Sequence, residues 1–159
     1  MKIRILCVGK IKEKYLRDAI DEYMKRMQKF ADMEILEVAD EKTEERASDT
    51  EIDAVLSKEG ERLMSKIGER DFVTVLDIGG VKVSSEGLAD KIKNTILKGS
   101  STLDFVIGGS LGLSDAIKKR ADFRLSFSDM TFPHQLMRVI LLEQIYRAFK
   151  INNNEPYHK

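Results

Sequence analysis

The chain alternates short apolar, β-branched runs with longer segments of helical periodicity, and this alternation is what most restricts its fold. The runs are Ile3 to Val8, Met33 to Ala39, Phe72 to Ile78, Leu103 to Ile107 and, least clearly, Phe123 to Phe127. Runs of this length and composition are typical of strands. Strands that alternate with helices pair in parallel through right-handed crossovers. The pattern predicts an α/β fold with a mostly parallel sheet of five or six strands and helices on both faces.

Helical patterns occupy the intervals between these runs. We expect the second helix to begin at the signal Thr50-x-x-Asp53, the third behind Ser84 and Ser85, and a short fourth behind Ser114. The polar stretch 40–49 has almost no apolar side chains to bury, so we expect a loop there. The first helix keeps its apolar residues on one stripe: Ile11, Tyr15, Leu16, Ala19, Ile20, Tyr23, Met24 and Met27.

The last helix, about Pro133 to Phe149, is apolar nearly all the way round. Such a helix must be covered on every side, and one sheet covers only one face. We therefore expect the other face to meet a second copy of the chain in a two-fold homodimer. The alternative is a helix that is central within a single chain.

Length and composition limit the remaining possibilities. At 159 residues the chain is expected to form one domain, 1–159. It contains no apolar stretch near the roughly 20 residues needed to span a bilayer, and its N-terminus does not resemble a signal peptide, so a cytoplasmic protein is expected. The single cysteine, Cys7, lies in an apolar run and predicts neither a disulfide nor a cysteine-rich metal site.

The formal net charge is zero, but the charge is unevenly distributed along the chain. Residues 1–30 carry nine Lys and Arg against four Asp and Glu, and residues 110–159 carry eight against five. Residues 31–69 carry five against thirteen. If the two basic ends meet in the fold, they form a cationic face suited to a nucleic acid. Solvated helix faces would account for the same counts equally well.

The fourth apolar run leads directly into Gly108-Gly109-Ser110-Leu111-Gly112. Glycines after a parallel strand allow a ligand to approach the backbone, and such ligands bind beyond the carboxyl ends of the strands. The spacing fits neither the dinucleotide-binding fingerprint nor the P-loop. The sequence therefore predicts a ligand site at this edge of the sheet.

The same five residues also match the G-x-S-x-G motif of serine hydrolases, with Ser110 as nucleophile and Asp129 and His134 following in the order acid, then histidine. Against this interpretation, no His-Gly-Gly-Gly segment precedes the motif and the chain is short for such an enzyme. A triad with Asp129 so close to His134 in sequence would also be cramped. A small serine hydrolase remains an alternative.

Several segments together carry a family resemblance over the whole chain. They are MKIRILCVGKIK at the N-terminus, VLDIGGVKVSSEGLA, FVIGGSLGLSDAIKKRAD, LSFSDMTFPHQLMRVILLEQIYRAFKI and the terminal NNEPYHK. With them the sequence closely resembles the RlmH family of SPOUT-class RNA methyltransferases. The resemblance implies a C-terminal trefoil knot and methylation of N3 of a pseudouridine in 23S rRNA on the assembled ribosome. It implies S-adenosyl-L-methionine as methyl donor, S-adenosyl-L-homocysteine as product, a homodimer, and no metal, membrane or DNA.

The resemblance also implies roles for individual residues. His158, Tyr157 and Arg138 are expected to be catalytic, Lys159 and Arg138 to contact RNA, and 150–159 to act as a functional tail. His134 is expected to be a structural or pocket-forming residue. The residues expected to bind the cofactor are Leu76, Gly108, Ser126, Phe127, Ser128, Asp129, Met130, Thr131 and Phe132.

A non-catalytic module that binds RNA or the ribosome is the second alternative. It would leave the glycine loop purely structural, and its binding to the particle would not respond to S-adenosylmethionine.

Overall fold

The computed structural model describes residues 1–158, and Lys159 lies outside the described residues. Ten elements alternate along the chain. The strands are β1 (Lys2–Val8), β2 (Asp32–Val38), β3 (Phe72–Lys82), β4 (Thr102–Ile107) and β5 (Phe123–Ser126). The helices are α1 (Lys14–Met27), α2 (Asp49–Met64), α3 (Ser85–Leu97), α4 (Asp115–Arg120) and α5 (His134–Asn152).

The five strands form one sheet in the order β2-β1-β4-β3-β5, and every pair is parallel. The expected α/β class with a parallel sheet is confirmed. All strands therefore end at one edge, where a parallel sheet presents its loops to a ligand. Strand order and pairing do not describe how the chain is threaded. The trefoil knot therefore stays an expectation of the family resemblance.

Helices cover both faces of the sheet, as expected. The helices α1, α3 and α5 cover the face that carries Ile3, Ile5 and Phe105. The helices α2 and α4 cover the face that carries Leu6 and Val106. Cys7 is fully buried among the first group, which confirms its role in the core, and burial raises the pKa of its thiol to about 12.

The last helix, α5, is largely enclosed by its own chain, since it lies against α1, α3 and β4. Residues such as Leu141, Leu142 and Ile145 are completely buried. The single-chain explanation therefore accounts for much of its apolar surface. Toward its N-terminus, however, Leu136 is 38% exposed and Ile140 is only partly buried, so an apolar strip stays open.

Element boundaries differ from the sequence prediction at several places. Helix α1 begins at Lys14, so Ile11 precedes it, and α5 runs on to Asn152 rather than ending at Phe149. Helix α2 begins at Asp49 rather than at the signal Thr50-x-x-Asp53, because Ser48 and Glu51 form a reciprocal capping box just ahead of it. Strand β3 runs on to Lys82 through an irregularity opposite β5. The expected caps Ser84 and Ser114 are confirmed, since both accept a backbone hydrogen bond at the start of their helices.

No helix among the described residues is long and apolar enough to cross a membrane.

Candidate active site

A cavity of about 730 Å³ opens at the carboxyl edge of the sheet, beside the start of α5. Most of its lining comes from three segments: the end of β3, the glycine turn after β4, and the chain between β5 and α5. Their residues bring together apolar side chains, exposed backbone and a few polar groups, the usual composition of a small-molecule site. The lining residues are Leu76, Asp77, Ile78, Ile107, Gly108, Gly109, Ser110, Leu111, Gly112, Leu113, Lys118, Leu125, Phe127, Ser128, Met130, Thr131, Phe132, Pro133, His134 and Met137.

The glycine turn forms the wall of the cavity next to β4. Gly109 and Gly112 pair in an antiparallel bridge, and Gly112 has a φ of +88°, which an L side chain rarely adopts. A Cβ on Gly108 would lie only 2.3 Å from the carbonyl oxygen of Gly112. The turn therefore requires glycine at both positions in order to fold back on itself.

The irregularity in β3 brings a second segment to the cavity. The register with β5 shifts between Leu76 and Val81, and Asp77 within this bulge contacts the cavity. Arg124 on β5 holds the bulge, since its Nε donates to Asp77 Oδ2 at 2.9 Å and a second guanidinium nitrogen reaches the same oxygen. A Cβ on Gly80 would lie 2.6 Å from the Arg124 carbonyl oxygen, so only glycine fits there.

Asp77 and Lys118 are the acidic and the basic residue of the cavity lining. Burial opposes ionisation of Asp77, but the bonds from Arg124 and the charge of Lys118 outweigh it and lower the pKa of this carboxyl. Lys118 Nζ lies 3.7 Å from Asp77 Oδ1, and its side chain is about one-third exposed. Opposite charges are therefore held side by side on one wall.

His134 stands at the first position of α5 and contacts the cavity. Burial, and then the positive charge of Arg138, lower the pKa of its imidazole. The ring is consequently neutral near pH 7. The expectation of a pocket-forming histidine agrees with this placement.

Seven of the nine residues expected to bind a cofactor lie on the cavity, and two do not. Ser126 is buried, and its hydroxyl donates to the Ser128 carbonyl at 3.2 Å. Asp129 is exposed and pairs with Lys82 across the surface. The sequence analysis missed Asp77, Lys118 and Met137, although an acidic residue directly after Leu76, at the end of an apolar strand, was an available signal.

Arg138 was expected to be catalytic and to contact RNA, but it is only 1% exposed. Its guanidinium donates to Glu37 at 2.8 Å, to the Val8 carbonyl at 3.0 Å and to the Gly9 carbonyl at 2.7 Å. The group thus faces the interior, where it ties α5 to the ends of β1 and β2. This arrangement favours a structural role.

The tail brings together a second group of polar side chains, away from the cavity. Arg147 on α5 lies 3.2 Å from His158 Nδ1, and its guanidinium stands 4.7 Å from the centre of the Tyr157 ring. Glu86 lies 2.7 Å from His158 Nε2, and the Tyr157 hydroxyl donates to Glu143 at 3.2 Å. Nothing in the sequence singles out Arg147, because an arginine on a helix carries no local signal of function.

Burial, followed by the negative charge of Glu143, raises the pKa of Tyr157 to about 12, so its hydroxyl stays protonated. The expected catalytic residues Tyr157 and His158 are thus neighbours, whereas Arg138 is not among them. Arg147 comes thirteen positions after His134 on α5, which is roughly 20 Å along the axis at about 1.5 Å per residue. The tail group therefore stands well apart from the cavity of its own chain.

The geometry argues against a serine hydrolase. Ser110 and His134 both line the cavity, but Asp129 does not, and its carboxylate is bound to Lys82. The triad therefore lacks its acid. Among residues 1–158, no group of three or more His, Cys, Asp or Glu side chains is arranged to hold a metal ion.

Comparison with known proteins defines the class of this fold and site. A family model described as "Predicted SPOUT methyltransferase" matches residues 1–158. The fold is similar to that of a tRNA (m1G37) methyltransferase from Aquifex aeolicus, with a TM-score of 0.54 and 13% identity over 92% of this chain and 70% of that one. A probable methylase family protein from Haemophilus influenzae Rd KW20 gives a TM-score of 0.55 at 13% identity, over 99% and 70% of the two chains.

Two curated relatives narrow the class further. The chain is 60% identical over 100% of both chains to the ribosomal RNA large subunit methyltransferase H of Bifidobacterium animalis subsp. lactis (strain AD011). It is 54% identical, again over 100% of both, to the protein of that name from Streptococcus pneumoniae (strain CGSP14). The chain belongs to the ribosomal RNA large subunit methyltransferase H (RlmH) family of SPOUT methyltransferases, as its resemblance implied.

Proposed function

We propose that this protein is an S-adenosyl-L-methionine-dependent methyltransferase that methylates N3 of a pseudouridine in 23S rRNA on the assembled ribosome, in the cytoplasm. The observation that carries the proposal is the cavity between the glycine turn and the loop before α5, in a chain of the RlmH family.

The cavity suits this cofactor chemically. The side chains of Leu76, Phe127 and Phe132 offer apolar contact to a planar adenine, and the backbone of the glycine turn is open to close approach. Main-chain groups of Ser128, Met130 and Thr131 can read the polar edge of the base. We propose that the seven expected cofactor residues on the cavity bind the cofactor, and that Ser126 and Asp129 act only on the shape of the loop.

S-adenosylmethionine supplies a methyl group on a sulfonium that is already activated for transfer. The protein then has to hold the nucleobase in line and accept the proton from its weakly acidic N3–H. We propose His158 as the proton acceptor and Tyr157 as the surface on which a base stacks. Arg147, beside them, takes the role first expected of Arg138 and offsets negative charge on the ring. Lys159 is proposed to contact phosphate.

The separation of tail and cavity implies a further property of the site. We propose that two chains assemble as a homodimer in which the tail of one faces the cavity of the other. The partly open apolar strip of Leu136 and Ile140 lies on α5, whose first residue, His134, lines the cavity, and it gives the second chain a surface to cover.

Transfer of labelled methyl from S-adenosylmethionine to ribosomes that lack the modification tests the activity. Free rRNA and ribosomes without pseudouridine serve as parallel substrates. We expect label only in the unmodified ribosomes that carry pseudouridine. No transfer to any of them by a folded protein would contradict the proposal and favour the binding module.

Mixed dimers test the shared site. One partner carries Gly108→Val, which blocks the glycine turn, and the other carries His158→Ala, and each homodimer is expected to be inactive. The mixed dimer regains one intact site only if tail and cavity come from different chains. Inactive mixed dimers, with both parent proteins folded, would place tail and cavity in the same chain.

A further inference from the structure

One wall of the cavity is charged, while the rest is mainly apolar. Asp77 projects from the bulge of β3 and Lys118 from α4, and both contact the cavity. Phe127, Phe132 and Met137 belong to the apolar lining. A ligand that fills the whole cavity therefore meets both a charged pair and apolar side chains.

The bonding of the two residues leaves capacity for a ligand. Arg124 occupies Asp77 Oδ2, whereas Oδ1 has only a long contact of 3.4 Å from the Gly79 amide. Lys118 Nζ lies 3.7 Å from Oδ1, which is too long for a hydrogen bond. An ammonium has three donors and a carboxylate can accept about four bonds. Both groups can therefore take a further partner.

Charge indicates which partner suits them. Asp77, Lys118 and Arg124 together carry a net charge of +1. Arg124 contacts Oδ2 of Asp77, whereas Lys118 lies near Oδ1. A free ammonium beside a carboxylate that is already held complements a zwitterion, with the ligand carboxylate on the lysine. Charge-assisted hydrogen bonds of this kind are stronger than neutral ones.

We propose, on the basis of the function proposed above, that Lys118 and Asp77 bind the amino-acid end of the cofactor, the lysine at its carboxylate and the aspartate at its ammonium. The adenosine end then lies against the apolar wall.

Two compounds separate this role from general support of the cavity. S-adenosylhomocysteine carries the zwitterionic end, and 5′-methylthioadenosine lacks it but keeps the adenosine and the sulfur. Isothermal titration calorimetry measures both dissociation constants for the full chain and its variants. Lys118→Met keeps the apolar stem of the side chain and removes its charge. Lys119→Met is the matched control, since Lys119 is exposed on the same helix and does not line the cavity.

We expect Lys118→Met to weaken S-adenosylhomocysteine binding about tenfold or more, as loss of a charge-assisted bond does. Binding of 5′-methylthioadenosine should change less than about twofold, and Lys119→Met should change neither, since surface substitutions away from a site have small effects. Asp77→Asn should likewise weaken only the zwitterionic compound.

Equal losses for both compounds, or no loss for either, would overturn the assignment while leaving the proposed function intact. If the native protein, without any substitution, binds neither compound, the proposed function itself is overturned, and the assignment with it.

Discussion

His134, which lines the cavity at the carboxyl edge of the sheet, makes the stability of the fold depend on pH. Its pKa is lowered in the folded chain, first by burial and then by Arg138, so the unfolded chain takes up a proton at higher pH than the folded one. The neutral ring contributes its full share of the free energy of unfolding when the pH is above the ordinary histidine pKa of about 6.5. That contribution is lost as the pH falls toward the lower pKa of the folded chain.

We therefore expect the melting temperature of the native chain to fall between about pH 7 and pH 5.5 more steeply than that of His134→Gln. Melting curves recorded across this range for both proteins provide the test. Parallel curves would show that His134 does not contribute to the pH dependence.

Arg138 gives a second prediction, because its charge is compensated only inside the fold. Arg138→Met leaves Glu37 and the carbonyls of Val8 and Gly9 without their donor. We expect the free energy of unfolding to fall by roughly 2 to 4 kcal/mol, since one partner of a buried pair is lost. Denaturant unfolding measures the change.

Arg26→Met is the matched control for that measurement. Arg26 pairs with Glu22 one helical turn away on an exposed surface, where such pairs contribute little to stability. Similar losses for the two variants would contradict the structural role of Arg138.

At the residue level, the sequence predicts chemistry better than orientation. Leu76, Gly108 and Phe132 are expected at the cavity and lie there. Arg138 was expected to face RNA, yet it points inward, because nothing in a single helical arginine tells which neighbours will cover it. Lys118 was missed for the complementary reason: only the packing of α4 against β3 brings it to the cavity.

Elements follow local sequence signals, and the start of α2 shows how closely. Ser48 accepts from the Glu51 amide, and the Glu51 carboxylate accepts from the Ser48 amide at 2.6 Å. Loss of such a cap costs about 1 kcal/mol. The segment Thr50-x-x-Asp53 has a similar spacing of hydroxyl and acidic residues, but it lies within the helix and does not cap it.

We expect Ser48→Ala to lower the free energy of unfolding by about 1 kcal/mol and Thr50→Ala to leave it within about 0.5 kcal/mol. The two substitutions lie in the same exposed segment. Denaturant unfolding of both variants therefore compares the stability lost at the cap with the stability lost at a nearby position that is not a cap. A larger loss for Thr50→Ala would restore the boundary predicted from sequence.

The strands are predicted to within a residue or two at most of their ends, because apolar β-branched runs mark them directly. Two features at the scale of elements are not predictable in this way. The bulge in β3 depends on Arg124, far along the chain, and the strand order depends on which helices pack on which face. Both are decided by tertiary contacts rather than by local pattern.

The whole molecule leaves an apolar strip uncovered, and this strip predicts the assembly state. Leu136 is 38% exposed and Ile140 is partly buried on the outer side of α5. We expect analytical ultracentrifugation to give a mass of two chains, and the double variant Leu136→Glu, Ile140→Glu to give one, because charge disfavours burial at an interface.

Leu97→Glu is the control for that experiment. Leu97 is 74% exposed at the end of α3 and is not part of the strip on α5, so its substitution should leave the mass unchanged. A native chain that sediments as a monomer would contradict the homodimer and the shared site together.

The position of β1 in the sheet has a consequence for the time course of folding. This first strand lies between β2 and β4, and Arg4 on it bonds to Asp104, one hundred positions later. Pairings so distant in sequence form slowly, since closing a long loop costs entropy before the new contacts offset it. During synthesis, the edge of β1 that pairs with β4 therefore stays unpaired until β4 has been made. Until then the growing chain depends on helix cover, or on chaperones, to avoid aggregation.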